Sequence, residues 1–430
     1  MTEQKAIPKR FIGLDVHKYY LIAIGVDADL NVVLPAQRVE LARLDTWMNK
    51  TLRPDDALAL EMTTNTWQLY DELAPRVLAV TVVHPPHVAL ITRSQVMNDK
   101  IAASILARLL AKGLLVGIWV PPQEVRDLRA LVAQRRKMTR LATQAKNRLH
   151  AILQRHHLAP PEGNPFRPDQ DAWWNALPIG ALEKINLQSD LHTLRFAESE
   201  VARLTGLMNG IAAQDERVPR LVQLSGFAVV SSLDVLAAIG EIGRFPEPKK
   251  LVGYAGLGAR IHDSGMTTRT GKITKAGRKD LRAAMVEAAQ TASNTHPHWI
   301  AELKRLEPRL GRNKAIVAIA RKLLVSVWYV LNGHPDRFAE PELLARKFFQ
   351  HAYRIGKDNR PAGQSTAEYV REQLDQLGLG TDLTRVPWGA KKKPLPLPPS
   401  RQARRDASKL TVSKELVRSE VEGVSGVPHT

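Results

Sequence analysis

The chain has 430 residues, and 62 Lys+Arg against 43 Asp+Glu leave a formal net charge of +19. An excess of that size repels itself unless a polyanion offsets it, so nucleic acid or an anionic membrane surface is the expected partner class. With no cysteine in the sequence, disulfides, thiolate zinc sites and a cysteine nucleophile are excluded, and any chemistry falls to His, Asp, Glu, Ser and Tyr.

In chain order, the apolar run Phe11 to Asp15, the run Tyr20 to Val26 and a third from Asn31 to Val39, with a turn at Asp27 to Leu30, predict a β-meander. Ala57 to Glu61 and Val77 to Val83 read as buried strands flanking a helical segment from Trp67 to Ala74, and Ile101 to Lys112 reads as an amphipathic helix. Three strands, then strand, helix, strand and helix, predict an α/β domain over about residues 1–120. The most apolar stretch, Ser104 to Val120, is interrupted by Arg108 and Lys112, too short and too charged for a membrane span. With no signal-peptide pattern at the N-terminus, the expected location is the cytosol, with no membrane partner.

From Gln123 to Arg155 the pattern turns helical, with Val125, Leu128, Val132, Leu141, Ala145, Leu149 and Ile152 mostly three or four residues apart. Arg126, Arg129, Arg135, Arg136, Lys137 and Arg140 crowd its polar positions, a candidate phosphate-binding surface as well as a solvated one. After a break at Pro160 to Pro168, a second helix keeps Leu187, Leu191, Leu194, Val201, Leu204, Met208 and Ile211 in heptad register, which predicts a helical hairpin or coiled-coil arm over 121–216. Trp173-Trp174 within it reads as packing rather than base stacking. A third segment, 217–335, mixes helices with Gly-rich turns. From 336 to 430 the periodicity weakens into a basic, partly disordered tail, whose nine Lys/Arg between Lys391 and Arg418 suggest RNA binding.

Two constellations can carry chemistry. Asp15 and Glu61 each end a predicted strand, and Asp99 opens a predicted helix. A lone acid at a strand end is usually a cap or a solvated group. An ordered set in this strand pattern is how a ribonuclease-H-type domain builds a divalent-metal site, because Mg²⁺ or Mn²⁺ takes oxygen ligands and clustered carboxylates repel one another without a cation. His17, His84 and His87 read as surface histidines. The second constellation is His262-Asp-Ser264-Gly-Met-Thr-Thr-Arg269-Thr-Gly-Lys272-Ile-Thr-Lys275-Ala-Gly277-Arg278-Lys279, in which Arg269, Lys272, Lys275, Arg278 and Lys279 surround Ser264 with cations suited to phosphate. On chemistry alone a serine there is more often a phosphate contact than a nucleophile. It is not a P-loop, since Gly265 to Gly271 encloses five residues and Lys272 is followed by Ile273. Upstream, Leu224-Ser-Gly226-Phe running into Leu233 to Ile239 has the form of a helix-hairpin-helix element or of an ordinary helical packing unit.

Gly13-Leu-Asp15-Val-His-Lys18, Glu61, Asn98-Asp99-Lys-Ile, a long helical arm, Phe245-Pro, Lys249 to Leu257, and Ser264-Gly with Gly271 to Gly277 together resemble the DEDD transposases of the insertion sequence 110/1111 family over about residues 11–332. The resemblance implies an α/β plus α architecture. Its parts are an RNase H-like (RuvC-like) N-terminal domain, a coiled-coil arm that oligomerises the protein as a dimer or tetramer, and a mostly helical C-terminal transposase domain with a helix-hairpin-helix-like element. It implies that Asp15, Glu61 and Asp99 are catalytic metal ligands for Mg²⁺ or Mn²⁺ and that Ser264 is the nucleophile. It implies as partners donor and target DNA and a non-coding guide RNA, the bridge RNA or seekRNA of such elements. The family's fourth acid, one helical turn after Asp99, falls on Ala102, so the sequence suggests that this chain is inactivated there or works with three acids. A metal-dependent nuclease or junction resolvase without a covalent intermediate is the alternative reading.

Overall fold

The computed structural model describes residues 7–86, 98–264, 267–360 and 363–398, with only the backbone described within 261–270. The chain divides into two compact units, residues 1–122 and 123–430.

In the first unit, β1 (Arg10–Val16), β2 (Tyr20–Val26) and β3 (Val32–Glu40) form the antiparallel meander. Beyond it, β4 (Asp56–Glu61) and β5 (Ala79–Val83) add in parallel to give the order β3-β2-β1-β4-β5. The central strands β1, β2 and β4 are almost wholly buried, which explains their continuous apolar runs. Around the sheet lie α1 (Leu44–Thr51), α2 (Thr66–Leu73) and α3 (Asp99–Ala111). The predicted strands and helices are recovered to within about two residues. Helix α1 is an addition, a single amphipathic octamer whose buried face is only Leu44 and Met48.

One buried ion pair sets the sheet register. Arg10 forks onto Asp56, Nε to Oδ1 and Nη2 to Oδ2 both at 2.7 Å, and gives Nη2 to the Thr51 carbonyl at 2.8 Å. With Arg10 paired to Asp56 across β1 and β4, Leu14 falls opposite Leu60, and the next rank is Asp15 beside Glu61. Helix α3 lies against β1 so closely that a Cβ on Gly13 would sit 2.0 Å from the Ala103 carbonyl oxygen and 2.6 Å from the Ala107 nitrogen. A hydrogen at position 13 is therefore what lets the start of α3 reach the end of β1.

The second unit begins with α4 (Gln123–Arg155), α5 (Asp171–Asn175) and α6 (Ala181–Gln214). Partners Arg155–Glu183, Arg148–Asp190, Lys146–Glu198 and Arg135–Thr205 ascend one long helix as they descend the other, so α4 and α6 form the expected antiparallel hairpin. Trp174 is fully buried near its tip and gives its Nε1–H to Pro165 O at 2.7 Å, a packing role as the sequence suggested.

The remainder is α7 (Arg217–Val222), α8 (Val229–Ile239), α9 (Pro248–Tyr254), the hairpin β6 (Ala259–Ser264) and β7 (Thr267–Ile273), then α10 (Lys279–Thr295), α11 (Pro297–Leu310) and α12 (Arg312–Leu331). Past Pro335 the sequence predicted only a basic, partly disordered segment. Two further helices, α13 (Pro341–Ile355) and α14 (Thr366–Gln376), and a small hairpin of β8 (Arg385–Trp388) with β9 (Lys391–Pro394) occupy part of it. Leu344, Phe348, Val370, Leu374, Val386 and Leu395 join one hydrophobic core with α7–α12. The basic run from Arg401 to Arg418 lies outside the described residues.

Candidate metal centre and nucleic-acid interface

Asp15 projects from the end of β1, and Asp99 begins α3 behind an Asn98 cap whose side chain accepts the Ile101 N–H at 2.9 Å. An acid in a helix's first turn is favoured by the helix dipole. The two carboxylates meet at His17, whose Nε2 lies 3.2 Å from Asp15 Oδ2 and 3.2 Å from Asp99 Oδ2. Asp15, His17 and Asp99 can each direct one ligand atom to a common point, all of these atoms lying within 4.8 Å of one another. His17, read from the sequence as a surface histidine, is partly exposed and lies within this candidate ligand group.

Further side chains hold this arrangement. Tyr20 donates its hydroxyl to Asp99 Oδ2 at 2.9 Å, and its ring stacks on that of His17 with centroids 4.6 Å apart. The Arg38 guanidinium lies 3.6 Å from the Tyr20 ring centre. Neither Tyr20 nor Arg38 could be singled out in the sequence, because β2 and β3 bring them to the site through pairing rather than through a motif.

Electrostatics tie Glu61 to the same place. Burial, followed by the charge of Asp15, raises the Glu61 carboxyl above its usual range. Burial raises Asp15 as well; the His17 contact opposes that rise and the Asp99 charge adds to it. Carboxyls pushed toward the neutral form by burial and by one another are the condition that a cation relieves. The donor set, carboxylate oxygens with one imidazole, fits a divalent ion. Ala102 stands three residues after Asp99 on α3, so it offers no donor on that turn.

Ser264 is the last residue of β6 and pairs in register with Thr267 at the tip of the β6–β7 hairpin. Of the cations expected around it, Lys272, Lys275 and Lys279 are exposed, and Arg278 is half-buried and donates Nε to Asp280 Oδ1 at 3.0 Å. Arg269 lies on β7, its side chain outside the description.

Two family profiles match this chain in order: a DEDD transposase profile of the IS110 type over residues 12–158, and the "Transposase IS116/IS110/IS902 family" over residues 218–304. This chain belongs to the IS110 family of transposases. Similar proteins include a putative transposase of Sinorhizobium fredii, 26% identical over 51% of this chain and 51% of its own length. The transposase for insertion sequence element IS1111A of Coxiella burnetii is 23% identical over 75% of this chain and 89% of its own length. A pilin gene-inverting protein of Moraxella bovis is 33% identical over 29% of this chain and 40% of its own length. The chain therefore matches about half of the Sinorhizobium relative's length and most of the Coxiella relative's.

In this IS110-family chain the acidic triplet lies within the first matched region, and Ser264 with its basic hairpin lies within the second. The arginines of α4 divide by position. Arg129 places Nε 2.8 Å from Ala237 O and Nη2 3.1 Å from Ala238 O, so its fork binds carbonyls at the end of α8. Arg136 pairs with Asp234 at 3.0 Å, and Arg135 donates to Thr205 Oγ1 at 2.8 Å. Arg126 is half-buried, whereas Lys137 and Arg140 are exposed. The charge run read as one phosphate-binding face is thus in part internal scaffolding. In the helix-hairpin-helix-like turn, Gly226 adopts φ +83°, and a Cβ there would sit 2.1 Å from Ala288 O. The half-buried Lys347 of α13 donates to the Leu224 carbonyl in that same turn.

Proposed function

We propose that this chain is the RNA-guided recombinase of a bacterial insertion sequence, cutting and exchanging DNA strands at a carboxylate metal site through a phosphoserine link. One observation carries the reading. The ribonuclease-H-type sheet order converges Asp15 and Asp99 on one point, with Glu61 coupled to Asp15, in a chain whose second family region holds Ser264. A relative named for inverting a pilin gene is consistent with DNA breakage followed by rejoining.

The divisions of labour follow from chemistry. Asp15, Glu61 and Asp99 would hold Mg²⁺ or Mn²⁺, which when bound supplies positive charge against an anionic phosphodiester. Ser264 Oγ attacks phosphorus, the P–O bond to the deoxyribose breaks, and the seryl proton is balanced by the proton that the leaving oxygen takes up. The phosphodiester count is unchanged, so bond energy is kept for rejoining when a strand hydroxyl displaces the serine. Lys272, Lys275 and Lys279 on the serine's hairpin and its exit, with Lys137 and Arg140 on the arm, bind phosphate without reading bases. Sequence choice then belongs to the guide RNA, which pairs with donor and target. The coiled-coil arm joins the subunits.

The test is a strand-exchange assay with labelled donor and target DNA, Mg²⁺, and the element's non-coding RNA, using this chain and its Ala102→Asp variant. Recombinant product that requires the RNA and changes target with its sequence supports the proposal. Product formed equally without RNA contradicts guidance, and hydrolysed ends alone favour a nuclease or junction resolvase.

A further inference from the structure

We infer that His17 is itself a metal ligand in this chain, giving a mixed nitrogen–oxygen centre of Asp15, His17 and Asp99 that selects Mn²⁺-type ions over Mg²⁺. The inference rests on the metal site of the proposed function and goes beyond its carboxylates.

His17 Nε2 is equidistant, at 3.2 Å, from one oxygen of Asp15 and one of Asp99. An imidazole that merely balanced charge could lie against either acid. Here the single nitrogen and the two oxygens form the one compact group of possible ligand atoms among the described residues. The ring is also held in orientation. His17 is the first residue of the β1–β2 turn, its N–H bonded to the Tyr20 carbonyl at 2.8 Å, and its ring stacks on Tyr20 at an interplanar angle of 21°. The same Tyr20 donates to Asp99 Oδ2, so one residue fixes both a nitrogen and an oxygen donor. Such outer partners are how proteins aim metal-bound imidazoles and carboxylates.

Ala102 supplies the complementary observation. Position 102, one helical turn after Asp99, offers only a methyl group, so α3 adds no oxygen donor there beyond Asp99 itself. Mg²⁺ demands near-octahedral oxygen ligation, whereas Mn²⁺ accepts imidazole readily and follows looser geometry. A donor set with an aimed nitrogen and a missing acid therefore favours the softer ion.

The experiment uses the full chain with Mn²⁺ as the probe and reads pulsed electron paramagnetic resonance, which detects nitrogen bound directly to the ion, alongside titrations with Mn²⁺ and Mg²⁺. The expected result is one strongly coupled imidazole nitrogen and Mn²⁺ affinity at least tenfold above that for Mg²⁺, an order of magnitude set by ligand softness. His17→Asp replaces nitrogen with oxygen without emptying the site; it should retain Mn²⁺, lose the nitrogen coupling and bring the Mn²⁺/Mg²⁺ ratio down by roughly tenfold. Bound Mn²⁺ without nitrogen coupling, or coupling that survives in His17→Asp, overturns the inference and leaves the carboxylate site standing. Failure of both ions to bind overturns the inference together with the metal reading on which it rests.

Discussion

Tyr20 and Asp99, 79 residues apart in sequence, are joined by a hydrogen bond of 2.9 Å that anchors the first acid of α3 to the β1–β2 hairpin. The bond holds the Asp99 carboxylate by Oδ2, the oxygen that also faces His17 Nε2 at 3.2 Å, and so fixes its orientation. Tyr20→Phe keeps the ring that stacks on His17 and removes only the hydroxyl. Divalent-ion affinity should fall by roughly tenfold, as for loss of an outer partner of a ligand, with unfolding temperature little changed. Calorimetric titration of Mn²⁺ into the two proteins measures it, and equal affinities would remove Tyr20 from the site.

Glu61 makes the opposite trade. Its folded carboxyl is raised above the unfolded value, so the folded state prefers the proton. Its destabilising effect is absent below the unfolded range near pH 4, grows as pH rises through the folded pKa, and is complete at neutral pH. Glu61→Gln should therefore raise the unfolding temperature of the metal-free protein at pH 7, leave it nearly unchanged at pH 4, and weaken divalent-ion binding. Scanning calorimetry at both pH values, with and without Mn²⁺, tests all three signs.

Gly13 tests the closeness of α3 to β1. A methyl group 2.0 Å from the Ala103 carbonyl cannot be accommodated by a side-chain rotation, since backbone must move. Gly13→Ala should destabilise the first unit by about 2–3 kcal/mol, within the range for overpacking a core. It should also separate Asp99 from Asp15 and abolish tight Mn²⁺ binding. Urea unfolding gives the first quantity and titration the second.

Lys347 is half-buried, and desolvation lowers its ammonium from 10.5 to about 7, with Asp336 opposing the shift. Between those values the unfolded chain holds a proton that the folded chain has released, so this residue makes stability rise with pH from about 7 to 10.5 and adds no slope below that window. Lys347→Met should flatten the pH dependence of unfolding across the window. A difference between the two proteins that is constant from pH 7 to 10 would contradict the assignment.

Arm cations should separate by role. Arg129→Ala removes two hydrogen bonds to the end of α8 and should cost about 1–3 kcal/mol of stability. Lys137→Ala with Arg140→Ala should leave stability within about 0.5 kcal/mol and lower the slope of log affinity for nucleic acid against log salt by about 1–2. Chemical denaturation and salt-series binding distinguish them.

Much of the first unit was legible because its central strands β1, β2 and β4 are short, almost wholly buried apolar runs and Asp15 and Glu61 close two of them. The helical arm was legible from its heptads. The place of His17 beside Asp15 and Asp99 was not legible, because sequence puts it in a turn and α3 arrives from more than 80 residues away. The arginines of α4 looked alike because composition counts charge and cannot tell an exposed Arg140 from an Arg129 whose fork holds Ala237 and Ala238. Helices α13 and α14 were hidden by the Lys/Arg and Pro around them, although Phe348, Phe349 and Val370 had to be buried somewhere.

The central claim is that Ser264 forms a covalent bond to DNA in a reaction that also needs the carboxylate site. The most direct measurement incubates the Ala102→Asp protein with guide RNA, Mg²⁺ and end-labelled donor and target DNA, then resolves the products on a denaturing gel. Ser264→Ala and Asp15→Asn controls run beside it. The account predicts a protein–DNA adduct that is absent from both controls. Cleavage without an adduct, persisting in Ser264→Ala, would contradict it and leave a hydrolytic nuclease.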